Sequence, residues 1–152
     1  MRLKTGALLH GLMMITFLGN KMITMICGLP NAGKTTYSRR YNNALHQDDL
    51  GTTDNVIEAI KQAGADVVVE GVFSTCDIRR RVLSAYGGKS RCIFIDITAE
   101  ESIRRENRNR HPQILRNAAR FFEPPTFAEG WDEIIVIKGE NNVERYYRQE
   151  QD

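Results

Sequence analysis

At 152 residues the chain has the length of one domain, and its 41% hydrophobic and 26% charged composition is that of a globular protein with one real core. A net charge of +2 excludes a strongly basic nucleic-acid coat. The positive charge is nonetheless unusual in kind, with fifteen arginines against six lysines, and arginine is the better planar, bidentate partner for phosphate.

At the amino terminus Arg2 and Lys4 precede an apolar stretch from Ala7 to Leu18 that loosely resembles a secretory signal. His10 and Gly11 break it, no small-x-small cleavage site comes after it, and it is shorter than the about 20 apolar residues that a bilayer span needs. Residues 1–21 are therefore expected to be a leader outside the fold, with Met22 as an alternative start directly before the first strand. A domain over 22–140 and a polar terminal helix or tail over 141–152 complete the expected organisation.

Met22 to Cys27 is an apolar run ending at Gly28, and a helix is expected from Gly33 to Tyr41. Ala44 to His46 reads as a short strand. Val56, Ile57, Ile60 and Ala63 recur on one face of a helix over Thr53–Ala63. Asp66 to Val69 is a valine-rich buried strand. Ser74 with Asp77 opens a helix that Gly87-Gly88 closes. Arg91 to Ile97 is a further strand, and Thr98 with Glu101 forms a capping box for the next helix. Pro112 interrupts the helical pattern beyond it, a short helix runs from Ile114 to Phe121, and Glu133 to Ile137 is the last strand. Strands alternating with helices predict an α/β fold with a mostly parallel five-stranded sheet flanked by helices. Ligands of such sheets sit outside the carboxyl ends of the strands.

The segment Gly28-Leu29-Pro30-Asn31-Ala32-Gly33-Lys34-Thr35 fits the pattern G-x-x-x-x-G-K-[ST] in full, between an apolar strand and a helix. Glycines let backbone N–H groups turn inward, and with the helix N-terminus they make a positive nest for phosphate. In this reading Gly28, Asn31, Ala32, Gly33, Lys34, Thr35 and Thr36 hold the phosphates of ATP. Lys34 reaches the β- and γ-phosphates, and Thr35 offers its hydroxyl to Mg²⁺. ATP chemistry, with three cysteines (Cys27, Cys76, Cys92) that have no metal spacing, leads to a cytoplasmic expectation.

Two acids stand at strand ends. Asp48, in His46-Gln47-Asp48-Asp49, is placed to orient an acceptor hydroxyl and take its proton, or else to cap a turn. Glu70, after Val67-Val68-Val69, either holds Mg²⁺ through water, contacts substrate, or is a structural carboxylate. Asp96 reads as structural. Arg104, Arg105, Arg108, Arg110, Arg116 and Arg120 lie within twenty residues against only Glu101 and Glu106. A basic helical hairpin of this kind, closing as a mobile lid over a triphosphate, would neutralise charge at the transferring group. Arg79, Arg80 and Arg81 form a smaller cluster.

Three blocks together carry a resemblance. GLPNAGKTT, the pair Asp48-Asp49, and RRENRNR (Arg104 to Arg110) followed by FEPPTFAEGWDEI (Phe122 to Ile134) resemble the P-loop kinase superfamily, within it the polynucleotide 5′-hydroxyl kinase and zeta-toxin-like group. The resemblance spans about residues 22–137. It implies a P-loop NTPase fold with an Arg-rich helical lid, Asp48 as base, Arg108 as the lid arginine on the phosphates, Arg104 beside it, and Arg79 as a substrate contact. Gln47 and Gly51 depart from the group, which commonly carries arginines there. The expected activity is transfer of the ATP γ-phosphate to a hydroxyl, with the 5′ end of a polynucleotide as one acceptor and a small metabolite or nucleotide as the alternative. A nucleotide-binding interaction module without an acceptor is the reading from another class.

Overall fold

The computed structural model describes residues 21–150, so the expected leader lies outside the described residues except for Lys21. In chain order the elements are β1 (Met22–Gly28), α1 (Lys34–Ser38), β2 (Leu45–His46), α2 (Gln47–Leu50), α3 (Thr53–Gln62), β3 (Val67–Glu70), α4 (Cys76–Ser84), β4 (Lys89–Ile95), α5 (Ala99–Arg104), α6 (Pro112–Phe121), a 3₁₀ turn (Phe127–Glu129), β5 (Glu133–Gly139) and β6 (Asn142–Tyr147).

These form an α/β structure around one mixed six-stranded sheet of order β2-β3-β1-β4-β5-β6. Strands β1 to β5 are parallel, and β6 pairs antiparallel with β5. β1 sits in the middle and is buried on both faces from Ile23 onward, which is why it reads as an unbroken apolar run rather than an alternating one. One face packs Ile23, Met25, Cys27, Val69 and Phe94 against Val56 and Ile60 of α3, Val82 of α4, and Trp131. The other face packs Ile26, Ile93, Ile95 and Ile135 with Ala32, Tyr37 and Tyr41 around α1. From β1 the chain runs outward to β2, returns to β3 beside β1, then crosses to β4 on the other side. The connections therefore diverge at the carboxyl end of β1, leaving a crevice there.

The expectation of five strands with a polar helix or tail over 141–152 is corrected by β6. Residues 142–147 are almost all exposed, so no apolar periodicity marks them. The strand exists because its backbone pairs with β5 in register from Glu133↔Tyr147 to Gly139↔Asn142. Other local readings shift by a residue or a role. Thr75, not Ser74, caps α4 by accepting from the Ile78 N–H at 3.2 Å. Thr98 does cap α5, accepting from the Glu101 N–H at 3.1 Å, but the Glu101 carboxylate turns to Arg104 and Arg105 instead of closing a box. Pro112 does not interrupt a helix but begins one: it is the first residue of α6, with His111 Nδ1 accepting from the Gln113 N–H. The helix after Gly33 is shorter than expected, ending at Ser38. No described helix is long and apolar enough to cross a membrane.

Candidate functional site

The loop that leaves β1 is shaped by backbone conformations few side chains allow. Asn31 holds φ at 67° and Gly33 at 94°, both left-handed, and the Ala32 N–H closes a turn on the Leu29 carbonyl at 3.2 Å. At Gly28 a Cβ would lie 2.6 Å from the Ile95 carbonyl oxygen, so the close approach of β4 admits no larger residue. This geometry delivers Lys34 to the start of α1 with its side chain folded back into the loop. The ammonium donates to the Leu29 carbonyl at 2.7 Å, and the residue is only 8% exposed. Burial pushes the Lys34 pKa below the ordinary lysine value, and the nearby charges of Glu70 and Asp48 work against that shift.

A cleft of about 340 Å³ opens beside this loop. One wall is the loop and the first turn of α1: Pro30, Asn31, Gly33, Lys34, Thr35 and Thr36. The second wall is acidic, with Asp48 from the first turn of α2 and Glu70-Gly71-Val72 from the end of β3. The third is the segment between α5 and α6, contributing Arg105, Asn107, Arg108 and Arg110. Residues from four separate parts of the chain thus converge at the carboxyl end of β1.

Glu70 is 7% exposed and is held from behind: its Oε2 lies 2.7 Å from Nδ1 of His46, its register partner on β2. Gly71 comes next, with its N–H on the Ile26 carbonyl at 3.1 Å. A Cβ there would come within 2.6 Å of Gln47 Oε1, so Gln47 packs against the acidic wall. Asp48 is exposed at the rim of the cleft, whereas Asp49 is exposed but outside its lining.

The three cleft arginines differ in what already occupies them. Arg105 donates to Glu101 Oε1 at 2.7 Å and to the Asn31 and Ala32 carbonyls at 3.2 and 3.4 Å. Arg110 donates to Glu106 Oε2 at 2.6 Å and to Asn31 Oδ1 at 3.1 Å. The Arg108 guanidinium has no hydrogen bond or ion pair among the described residues, and only its backbone N–H is engaged, by Glu106 at 2.8 Å. The segment expected as a mobile lid is therefore bonded directly to loop 28–33.

Four expected site residues do not line this cleft: Gly28, Ala32, which faces an adjoining cleft, and the two arginines Arg104 and Arg79. The Arg104 side chain is 70% exposed, pairs with Glu101 at 2.8 Å for its Nε, and does not line the cleft. Arg79, expected as a substrate contact, is fully buried in the other half of the core. It donates to Glu129 through Nε at 2.6 Å and Nη2 at 3.1 Å, and to the Phe73 carbonyl at 2.7 Å. Burial alone would lower its pKa, but the bonds to Glu129 raise it, and Glu129 is held below the ordinary carboxylate value despite its own burial. The pair locks the Phe122–Trp131 segment against the loop after β3, a structural role. Arg105 and Arg110, by contrast, are cleft residues that the sequence placed only in a cluster; which member of the cluster turns inward depends on packing.

A second cleft of about 570 Å³ adjoins the first and shares Gly33, Thr36 and Arg105 with it. Its walls are largely apolar, including Ile95, Ile97, Ile137, Val143 and Tyr37, with Arg40, Lys138 and Arg145 around them. No sequence signal pointed to it, since Val143 and Arg145 belong to β6.

Among the described residues no three His, Cys, Asp or Glu side chains gather as a metal cluster. The cleft does offer hard oxygen donors, namely the Thr35 hydroxyl and the Asp48 and Glu70 carboxylates. Compared with known proteins, the chain matches no family model and no curated protein.

Proposed function

We propose that the protein is an ATP-dependent phosphotransferase that moves the γ-phosphate to a hydroxyl acceptor. The observation that carries this reading is the convergence in one 340 Å³ cleft of the loop ending in Lys34, the uncommitted Arg108 and the two carboxylates Asp48 and Glu70. A P-loop NTPase fold, with β1 at the centre of the sheet and the loop at its carboxyl end, is consistent with the strand order.

In this reading the loop N–H groups and the amino end of α1 cradle the β- and γ-phosphates. The Lys34 ammonium exchanges the Leu29 carbonyl for phosphate oxygen, recovering a full counter-charge for a group that burial disfavours. Arg108 meets the transferring group at the open side. Asp48 accepts the proton of the acceptor hydroxyl as the oxygen attacks phosphorus and ADP leaves. The oxygen donors suit Mg²⁺: the Thr35 hydroxyl and the Glu70 carboxylate would hold the ion, which would neutralise phosphate charge. The adjoining apolar cleft favours a nucleoside over bare polyphosphate, because a base laid on Ile95, Ile137 and Val143 would bury its ring.

The wall formed by Asp48 and Glu70-Gly71-Val72 carries no lysine or arginine of its own, the cleft arginines belonging to the segment between α5 and α6, and Gln47 is packed against Gly71. That favours a small uncharged or weakly charged hydroxyl compound, with a polynucleotide 5′ end as the competing acceptor. Transfer of labelled γ-phosphate from ATP onto a panel of 5′-hydroxyl DNA and RNA, nucleosides, sugars and polyols separates them. Lys34→Ala and Asp48→Asn should each lower turnover at least about a hundredfold, the effect of losing one electrostatic or acid–base group. Near-normal transfer by Asp48→Asn removes the base assignment. ATP binding without transfer to any acceptor favours a nucleotide-binding module instead.

A further inference from the structure

We infer that Asn31 and Glu106 are positioning residues that latch the arginine segment onto the phosphate-loop crest and thereby set Arg108 at the cleft. The inference deepens the phosphotransferase reading and rests on it for its catalytic consequence, but the latch itself is a feature of the chain without nucleotide.

Three consecutive crest residues of the loop are gripped by one stretch of chain. Ser102 Oγ donates to the Pro30 carbonyl at 2.6 Å, Arg105 donates to the Asn31 and Ala32 carbonyls, and Arg110 donates to Asn31 Oδ1. The Asn31 side chain lies at the middle of this grip. Its Nδ2 donates to the Ser102 carbonyl near the end of α5 at 2.9 Å and to Glu106 Oε2 at 3.5 Å, while its Oδ1 accepts from Arg110. A single amide therefore ties the end of α5 to the far side of the arginine segment.

Glu106 completes the device. One carboxylate oxygen accepts the N–H groups of Asn107 and Arg108 at 3.0 and 2.8 Å, and the other holds Arg110 at 2.6 Å. These bonds hold the Glu106 pKa below the ordinary carboxylate value, the Arg108 N–H contributing most. The turn that carries Arg108 is thus fixed at its backbone, leaving the guanidinium unengaged. Arg105 and Arg110 are committed to the latch, and Arg108 is the cleft arginine left for a ligand.

The backbone of Asn31 makes a discriminating variant available. At φ 67° asparagine is tolerated, but glycine adopts the same conformation without strain. Asn31→Gly keeps the loop path and deletes only the amide. If Asn31 served merely to shape the loop, Asn31→Gly would melt at the wild-type temperature and turn over normally. The latch predicts instead a kcat at least tenfold lower with the KM for ATP changed less than threefold, a melting temperature lowered by loss of the bonds to Ser102, Glu106 and Arg110, and a reduced further effect of Arg108→Ala in the Asn31→Gly background, because both act on one group.

The test pairs that kinetic comparison with amide hydrogen exchange on ligand-free wild-type and Asn31→Gly proteins, with Glu106→Ala, which removes the acceptor of both N–H groups, as a second variant. The latch predicts at least tenfold faster exchange of the Asn107 and Arg108 amides in both variants while β1 and β4 stay protected. Unchanged exchange at those amides overturns the latch, as does full additivity of Asn31→Gly with Arg108→Ala. If wild type transfers no phosphate, the phosphotransferase reading fails by itself, and the exchange result still decides the latch.

Discussion

Replacing Arg79 by methionine separates a structural arginine from a substrate-binding one. Methionine keeps most of the aliphatic stem in a site that is 0% exposed, but it removes the guanidinium from Glu129, whose side chain is also 0% exposed. Glu129 would retain the Thr126 N–H at 2.7 Å and the Trp131 Nε1–H at 3.1 Å, yet lose both bonds from its cationic partner. The Phe73 carbonyl would lose its bond from Arg79 as well. Breaking a buried ion pair by deleting one partner costs about 3–5 kcal/mol. For a chain of this length each kcal/mol moves the melting point by about 2–4 °C, so a fall of about 6–20 °C is expected by circular dichroism. Neutralising the partner as well, as in Arg79→Met with Glu129→Gln, should recover part of the loss, since no uncompensated charge then remains buried and the amide oxygen still accepts a hydrogen bond from Thr126 or Trp131. Well below its melting point Arg79→Met should keep the wild-type KM for ATP and acceptor within about threefold. A fall of under about 3 °C, or lost acceptor binding at unchanged stability, would refute the structural assignment and return Arg79 to the substrate.

Arg104 and Arg108 should part company. Arg104→Ala removes an exposed pair with Glu101 and should change turnover less than about threefold, whereas Arg108→Ala should lower kcat about a hundredfold, both read by steady-state phosphate transfer. Acid stability tests the Glu129 environment. Its folded pKa lies below the ordinary value of 4.5, so its contribution is present above that value and fades as pH falls through the folded pKa. The melting-point gap between wild type and Glu129→Gln should therefore be widest near neutral pH and narrow below pH about 4; a gap that widens on acidification would contradict the assignment.

Much of the fold was legible because burial on both sheet faces forces recognisable runs. Val67-Val68-Val69 and the Met22–Cys27 run could hardly be anything but inner strands. β6 was illegible for the complementary reason: an edge strand with exposed side chains carries no hydrophobic period, and its partner bonds are backbone only. The glycine-rich loop was readable because its conformation demands particular residues at particular positions, as Gly28 and Gly33 illustrate. Roles within the arginine clusters were not, because they depend on contacts distant in sequence. Arg79 meets Glu129 fifty residues away, and Arg110 meets Asn31 across seventy-nine. The adjoining apolar cleft was hidden with β6, which supplies part of its wall.

Amide resonances of the full chain followed during titration with ATP and Mg²⁺ address the central claim most directly. The account predicts saturable shifts concentrated in residues 28–36 and at Arg105 and Arg108, with Ile95, Ile137 and Val143 responding to ATP but not to inorganic triphosphate. Saturable binding whose shifts fall elsewhere, or no response at loop 28–36 at millimolar ATP, would contradict it.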